Sequence, residues 1–116
     1  MTRYLCLYKS AAPEGTPPTA EEQQKMGALI EEMFKAGVLL SAEGCLPSAL
    51  GFRVRQENGK VTVTDGPFTE AKEVVGGIAI IQTPSKDEAI RWTKKFLTVA
   101  GDGQSEVRQL YEQPAL

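Results

Sequence analysis

A chain of 116 residues with 41% hydrophobic and 24% charged side chains has the balance of one globular domain. At this length folding buries roughly 60–70% of the unfolded surface, enough for a core without disulfide or metal staples. Thirteen Lys and Arg against fifteen Asp and Glu leave a net charge of -2, which excludes the positive field that draws in nucleic acid or anionic lipid, and the absence of histidine excludes Ser-His-Asp and Cys-His nucleophiles and mixed zinc sites. Carboxylate, lysine, tyrosine and backbone chemistry remain.

Arg3 to Tyr8 is apolar and aromatic on both alternating faces, the pattern of a central strand covered on each side. Ser10 to Pro18, with Gly15, Pro13, Pro17 and Pro18, reads as a surface loop. Thr19 and Glu22 then form a capping box, and Met26, Leu29, Ile30, Met33 and Phe34 mark the buried face of a first helix that Gly37 stops. Its other face, with Glu21, Gln24, Lys25, Glu31, Glu32 and Lys35, is expected in solvent. Val38 to Cys45 is a second strand, with Leu40, Ala42 and Gly44 on one face and Leu39, Ser41 and Glu43 on the other.

Asn58-Gly59 between the alternating runs Phe52 to Gln56 and Lys60 to Thr64 predicts a tight hairpin. Val74 to Gln82 is a second central strand, in which Gly76-Gly77 suggests a bulge or a close backbone approach. Ser85 and Glu88 open a second helix with Ala89, Ile90, Thr93, Phe96 and Leu97 on its buried face; Trp92 either flanks that face or reaches a partner. Ser105 to Glu112 closes the order as an edge strand. Strand, helix, strand, inserted hairpin, strand, helix, strand is the split β-α-β order of a ferredoxin-like α+β domain. The first and third core strands then lie in the middle, and both helices cover one face. The bare face, carrying Tyr4, Cys6, Tyr8, Ile78 and Ile80 or their alternates, is too apolar for a monomer, so a homodimer is predicted through it.

Cys6 and Cys45, both read as buried small hydrophobes, fall on strands separated by a third and should stay reduced. No apolar stretch approaches the ~20 residues of a membrane-spanning helix. The opening Met-Thr-Arg-Tyr-Leu leads into a strand, and a cytoplasmic protein without membrane or nucleic-acid partners is expected.

The densest cluster of specialised residues is Thr64 to Glu73, where a Gly-Pro turn and Phe68 sit beside Asp65, Glu70, Lys72 and Glu73. Asp before Gly is ordinarily a turn residue that hydrogen-bonds local amides. Opposite charges next to a buried strand can also shift pKa values, as structural ion-pair networks do too.

The run Asp65-Gly66-Pro67-Phe68-Thr69-Glu70-Ala71-Lys72-Glu73, followed by Gly76-Gly77, resembles the signature of the DGPF-type YCII-related proteins. The resemblance also takes in Tyr4 to Tyr8, Ala36-Gly37-Val38, Ala42 to Leu46, Gly59-Lys60-Val61 and Glu106-Val107-Arg108, nearly the whole chain. It implies a protomer of the dimeric α+β barrel superfamily, with a cavity between helices and sheet or near the dimer seam. The acid–base His and Asp pair of related YCII proteins has no counterpart in a chain without His. On matching positions the resemblance points to Asp65 and Glu43 as carboxylate base and acid and to Lys72 or Arg108 as the group holding a substrate anion, with Glu70 beside them; apart from the resemblance, Tyr4 and Tyr8 have hydroxyls able to hydrogen-bond a ligand. Each has a plainer role: a turn for Asp65 and Glu43, ion pairs with Glu70 and Glu106 for Lys72 and Arg108, and packing for Tyr8.

Two functions follow. One is a small-molecule-binding, cofactor-independent lyase or isomerase acting on a small organic acid by carboxylate-assisted proton transfer, without metal. The other is a non-catalytic ligand-sensing or interaction domain linked to transcription regulation, since some family members are fused to sigma-factor-like regulators. A closed pocket joining the carboxylates would favour the first, and an open, solvated cluster the second.

Overall fold

The computed structural model describes residues 1–68 and 75–112. Its elements run in the order β1 (Thr2–Ser10), α1 (Ala20–Lys35), β2 (Leu39–Gly44), a 3-10 turn at Ser48–Leu50, β3 (Phe52–Glu57), β4 (Lys60–Asp65), β5 (Gly77–Thr83), α2 (Lys86–Ala100) and β6 (Gly103–Gln109). Four strands form one antiparallel sheet in the order β2-β5-β1-β6, and β3 and β4 pair separately. This is the ferredoxin-like α+β order read from the sequence, with the first and third core strands central and the hairpin inserted after the second. Among the described residues no helix is long and apolar enough to cross a membrane.

The helix ends follow from local chemistry. Thr19 and Glu22 cap α1 reciprocally, and Ser85 accepts the Glu88 N–H at the start of α2. Gly37 takes a φ of 73°, while the N–H groups of Gly37 and Val38 bond back to Phe34 and Met33, a Schellman stop that sends Val38 directly into the core. On the exposed side of α1, Lys25 and Lys35 pair with Glu21 and Glu31 one turn earlier, the solvated face expected.

The core lies between the helices and one face of the sheet: Tyr4, Leu29, Met33, Val38, Leu39, Ile81, Ala89 and Trp92 are buried, with Cys6, Ala42, Ala79 and Val107 packed against them. Trp92 is therefore at the centre of the buried stripe of α2, spaced from Ala89 and Phe96 at helical intervals, whereas Phe34 and Ile90 are rotated off their stripes and exposed. Lys95 spans the helices, pairing with Glu32 of α1 at 2.9 Å while its ammonium sits 4.8 Å from the Trp92 ring.

Strand register decides which face of β1 meets the helices, which the sequence pattern left open. Tyr4, Cys6 and Tyr8 point to the helices; their alternates Leu5 and Leu7 lie on the open face, directly opposite Ile80 and Ile78. In β2 the register shifts between Leu39 and Ser41, so Leu39 joins Ala42 on the helix side and Leu40 is left exposed. The close approach signalled by Gly76-Gly77 is real: a Cβ on Gly77 would stand 3.2 Å from the Glu43 carbonyl, and Gly76 exchanges bonds with Tyr8 and Cys45. Both cysteines are free, but Cys45 lies exposed beyond β2, not buried as its apolar setting suggested.

Candidate ligand-binding cleft at the hairpin base

The hairpin is a two-residue loop in which Asn58 and Gly59 take φ values of 51° and 78°, the left-handed pair that matches strand twist. Every residue of β3 and β4 is exposed. At the base, Pro47 opens the 3-10 turn, Gly51 donates back to Ser48, and Gly66 donates to the Gly51 carbonyl. Gly66 is required here because a Cβ would overlap the Ser48 carbonyl. Asp65 therefore ends β4 opposite Phe52, and the Gly66-Pro67-Phe68 run docks on the 3-10 turn.

Ser48, 7% exposed, is the hub of that docking. Its N–H and hydroxyl donate to the two carboxylate oxygens of Glu14 at 3.0 and 2.6 Å, and its Oγ accepts the Phe68 N–H at 3.2 Å. Three segments distant in sequence are thereby tied together: the proline-rich loop, the 3-10 turn and the stretch after the hairpin. The Ser48 hydroxyl, then its N–H, hold the Glu14 carboxyl below its ordinary value, against a smaller opposing effect of burial.

Beside this hub lies a cleft of about 470 Å³. Its walls are mostly apolar, with Leu46, Pro47, Leu50, Phe68 and Val75 around the Ser48–Gly51 turn. Arg53 supplies the charge, its guanidinium carbon 3.9 Å from the centroid of the Phe68 ring.

The residues singled out in the sequence fall elsewhere. Asp65 is exposed at the end of the hairpin, next to the cleft but outside its lining. Glu43 is exposed on edge strand β2, paired with Ile78 on the open face of the other sheet. Arg108, on the same open face, lies 3.5 Å from Glu106, and Lys9 approaches Glu106 at 4.0 Å, so Arg108 has the surface partner its neighbourhood offered. Tyr8 packs edge-on against Phe96 at 5.1 Å, with a buried hydroxyl that finds no hydrogen-bond partner among the described residues. Glu70, Lys72 and Glu73 lie outside the described residues. No group of three or more His, Cys, Asp and Glu is disposed to hold a metal among the described residues.

Glu14, Ser48 and Arg53 carried no sequence signal of a site. Glu14 looked like one polar residue in a loop, Ser48 followed a Leu-Pro pair, and Arg53 alternated like any outward hairpin residue. The carboxylate that Ser48 bonds lies 34 residues earlier, beyond the reach of any local pattern.

The model of the YCII-related domain matches residues 2–113. This chain belongs to the YCII-related family. It is also 30% identical over 86 residues to the uncharacterized protein R00369 of Rhizobium meliloti (strain 1021), a match spanning 73% of this chain and 69% of that one. In this family member, the Asp-Gly-Pro-Phe run builds the join between hairpin and turn: Gly66 admits the close backbone contact, and Phe68 contributes the aromatic wall of the cleft.

Proposed function

We propose that this YCII-related protein is a homodimeric binding protein for a small organic acid, which it takes up in the cleft at the hairpin base. The observation that carries this reading is an apolar cleft of about 470 Å³ bordered by one guanidinium. Ligand sites typically span about 300–1,000 Å³ and pair an apolar lining with few, well-placed polar groups. Arg53 has five N–H donors in a planar fork, so it can serve a ligand carboxylate alongside its other contacts. Leu46, Leu50, Val75 and Phe68 then receive the ligand's aliphatic or aromatic body.

Ligand sensing fits this arrangement better than proton transfer. Setting two carboxylates to opposite protonation states near neutral pH requires them to share one apolar site. Glu43 and Asp65 occupy different sheets, and both are exposed. The dimer reading is supported by the open sheet face, where Leu5, Leu7, Ile78 and Ile80 form an apolar centre between Glu43 and Ser41 on one side and Glu106 and Arg108 on the other.

Calorimetric titration with benzoate, cyclohexanecarboxylate and neutral benzamide tests the cleft. Both acids should bind, benzamide should bind at least about tenfold more weakly, and Arg53→Gln should remove that preference. Asp65→Asn should leave binding unchanged. If neither acid binds, or if Arg53→Gln binds them like wild type, the cleft is not an organic-acid site.

A further inference from the structure

We infer that the β3–β4 hairpin is a dimerisation arm that lays Phe52, Val54, Val61 and Val63 against a second copy of this chain. The inference rests on the homodimer reading above and adds the surface that completes it.

The hairpin is amphipathic across its width. Phe52, Val54, Val61 and Val63 share one face, with Gln56 and Asp65 at its two ends, and Arg53, Arg55, Thr62 and Thr64 share the other. The apolar face is uncovered: these four side chains are 57% to 66% exposed. A two-stranded hairpin alone in water is at best marginally stable and needs something packed on its hydrophobic face. The arm also stands away from the body. The radius of gyration is 16.1 Å, against about 13 Å for a compact chain of this length, and the molecule measures 45 × 43 × 21 Å.

The areas fit a second copy as the occupant. With strands about 4.8 Å apart and a rise of about 3.3 Å per residue, the open face of the four-stranded sheet has a flat outline of about 450 Å², and its side chains present a larger accessible surface. A stable specific interface takes roughly 800 Å² from each partner. The arm adds to that surface the largely exposed side chains of Phe52, Val54, Val61 and Val63, a contiguous apolar patch of the kind that marks a protein–protein contact. The surfaces are also continuous along the chain. β2 is the edge of the open sheet, Cys45 extends its pairing to Gly76, and the exposed Leu46 and Leu50 lead from there into the arm. In a two-fold dimer each contact occurs twice, so both arms close at once.

The test uses the full chain in a sedimentation dilution series with three proteins: wild type, Val54→Thr/Val63→Thr, and Leu7→Gln. Threonine keeps the β-branched shape at positions that are exposed in the protomer, so the protomer fold should be unchanged. The wild type should dimerise, and the arm variant should raise the dimer dissociation constant by about 100-fold or more. If Leu7→Gln weakens the dimer and the arm variant leaves it within about threefold of wild type, the dimer reading stands and the arm inference is overturned. If the wild type is monomeric throughout the series, both are overturned. Amide exchange on unmutated protein gives a second readout over residues 52–65. Protection that rises through the monomer–dimer transition supports the inference. A dimer whose arm exchanges as fast as in the monomer overturns it and leaves the arm to a different partner.

Discussion

Removing the Ser48 hydroxyl tests the join between the hairpin and the body. In Ser48→Ala the Phe68 N–H loses its acceptor at 3.2 Å, in a site where the serine is only 7% exposed. A neutral hydrogen bond contributes about 1 kcal/mol, and an amide left unsatisfied in a buried place costs about 1–3 kcal/mol. The bond to Glu14 adds little, because that carboxylate is at the surface and readily recovers water. The expected loss is therefore about 1–3 kcal/mol. For a domain of this size that corresponds to a fall in Tm of roughly 4–12 °C. Reversible thermal and urea unfolding followed by circular dichroism measure it, with Thr98→Ala on the exposed side of α2 as a control for loss of a helix hydroxyl. A Ser48→Ala loss no greater than the control's would refute the view that Ser48 holds the segments together. A loss accompanied by a lower urea m-value would place the effect on the cooperativity of unfolding instead.

Two further outcomes follow from ionisation. Because the Glu14 carboxyl is held below its ordinary value of 4.5, its contribution is fully present above the unfolded-state pKa and is lost as pH falls through the lower folded value. The stability gap between wild type and Glu14→Gln should therefore be constant above about pH 5 and close in acid. A gap that widens on acidification would contradict the assignment. The two thiols should separate by reactivity: burial pushes Cys6 up to about 11, while Cys45 is exposed. Iodoacetamide at neutral pH should modify Cys45 and spare Cys6 in the folded protein, as mass spectrometry of the peptides would show. Equal labelling of both would mean that β1 opens readily.

Local rules made much of the fold legible. Thr19, Glu22, Gly37, Ser85 and the Asn58-Gly59 pair each set a boundary through bonds within a few residues, and those boundaries hold. Face assignment was harder where tertiary context decides. β1 is apolar at every position from Tyr4 to Tyr8, so a period of two could not say which alternate set meets the helices. The irregularity between Leu39 and Ser41 reversed the expected sides of part of β2. Trp92 was ambiguous because it adjoins the stripe on the sequence wheel, yet its ring occupies the centre of the packed surface. The motif drew attention to Asp65, whereas its neighbours Gly66 and Phe68 make the close contacts. Their partner Ser48 answers to Glu14 across 34 residues, a pairing no local pattern encodes.

The most direct measurement is a nitrogen-15 amide titration of the full chain with benzoate. Saturable shifts should be concentrated at Ser48, Gly51, Arg53 and Phe68, with the Arg53 side-chain resonance among them. Saturable shifts centred instead on Tyr8 and Phe96, or no saturable shift anywhere, would contradict it.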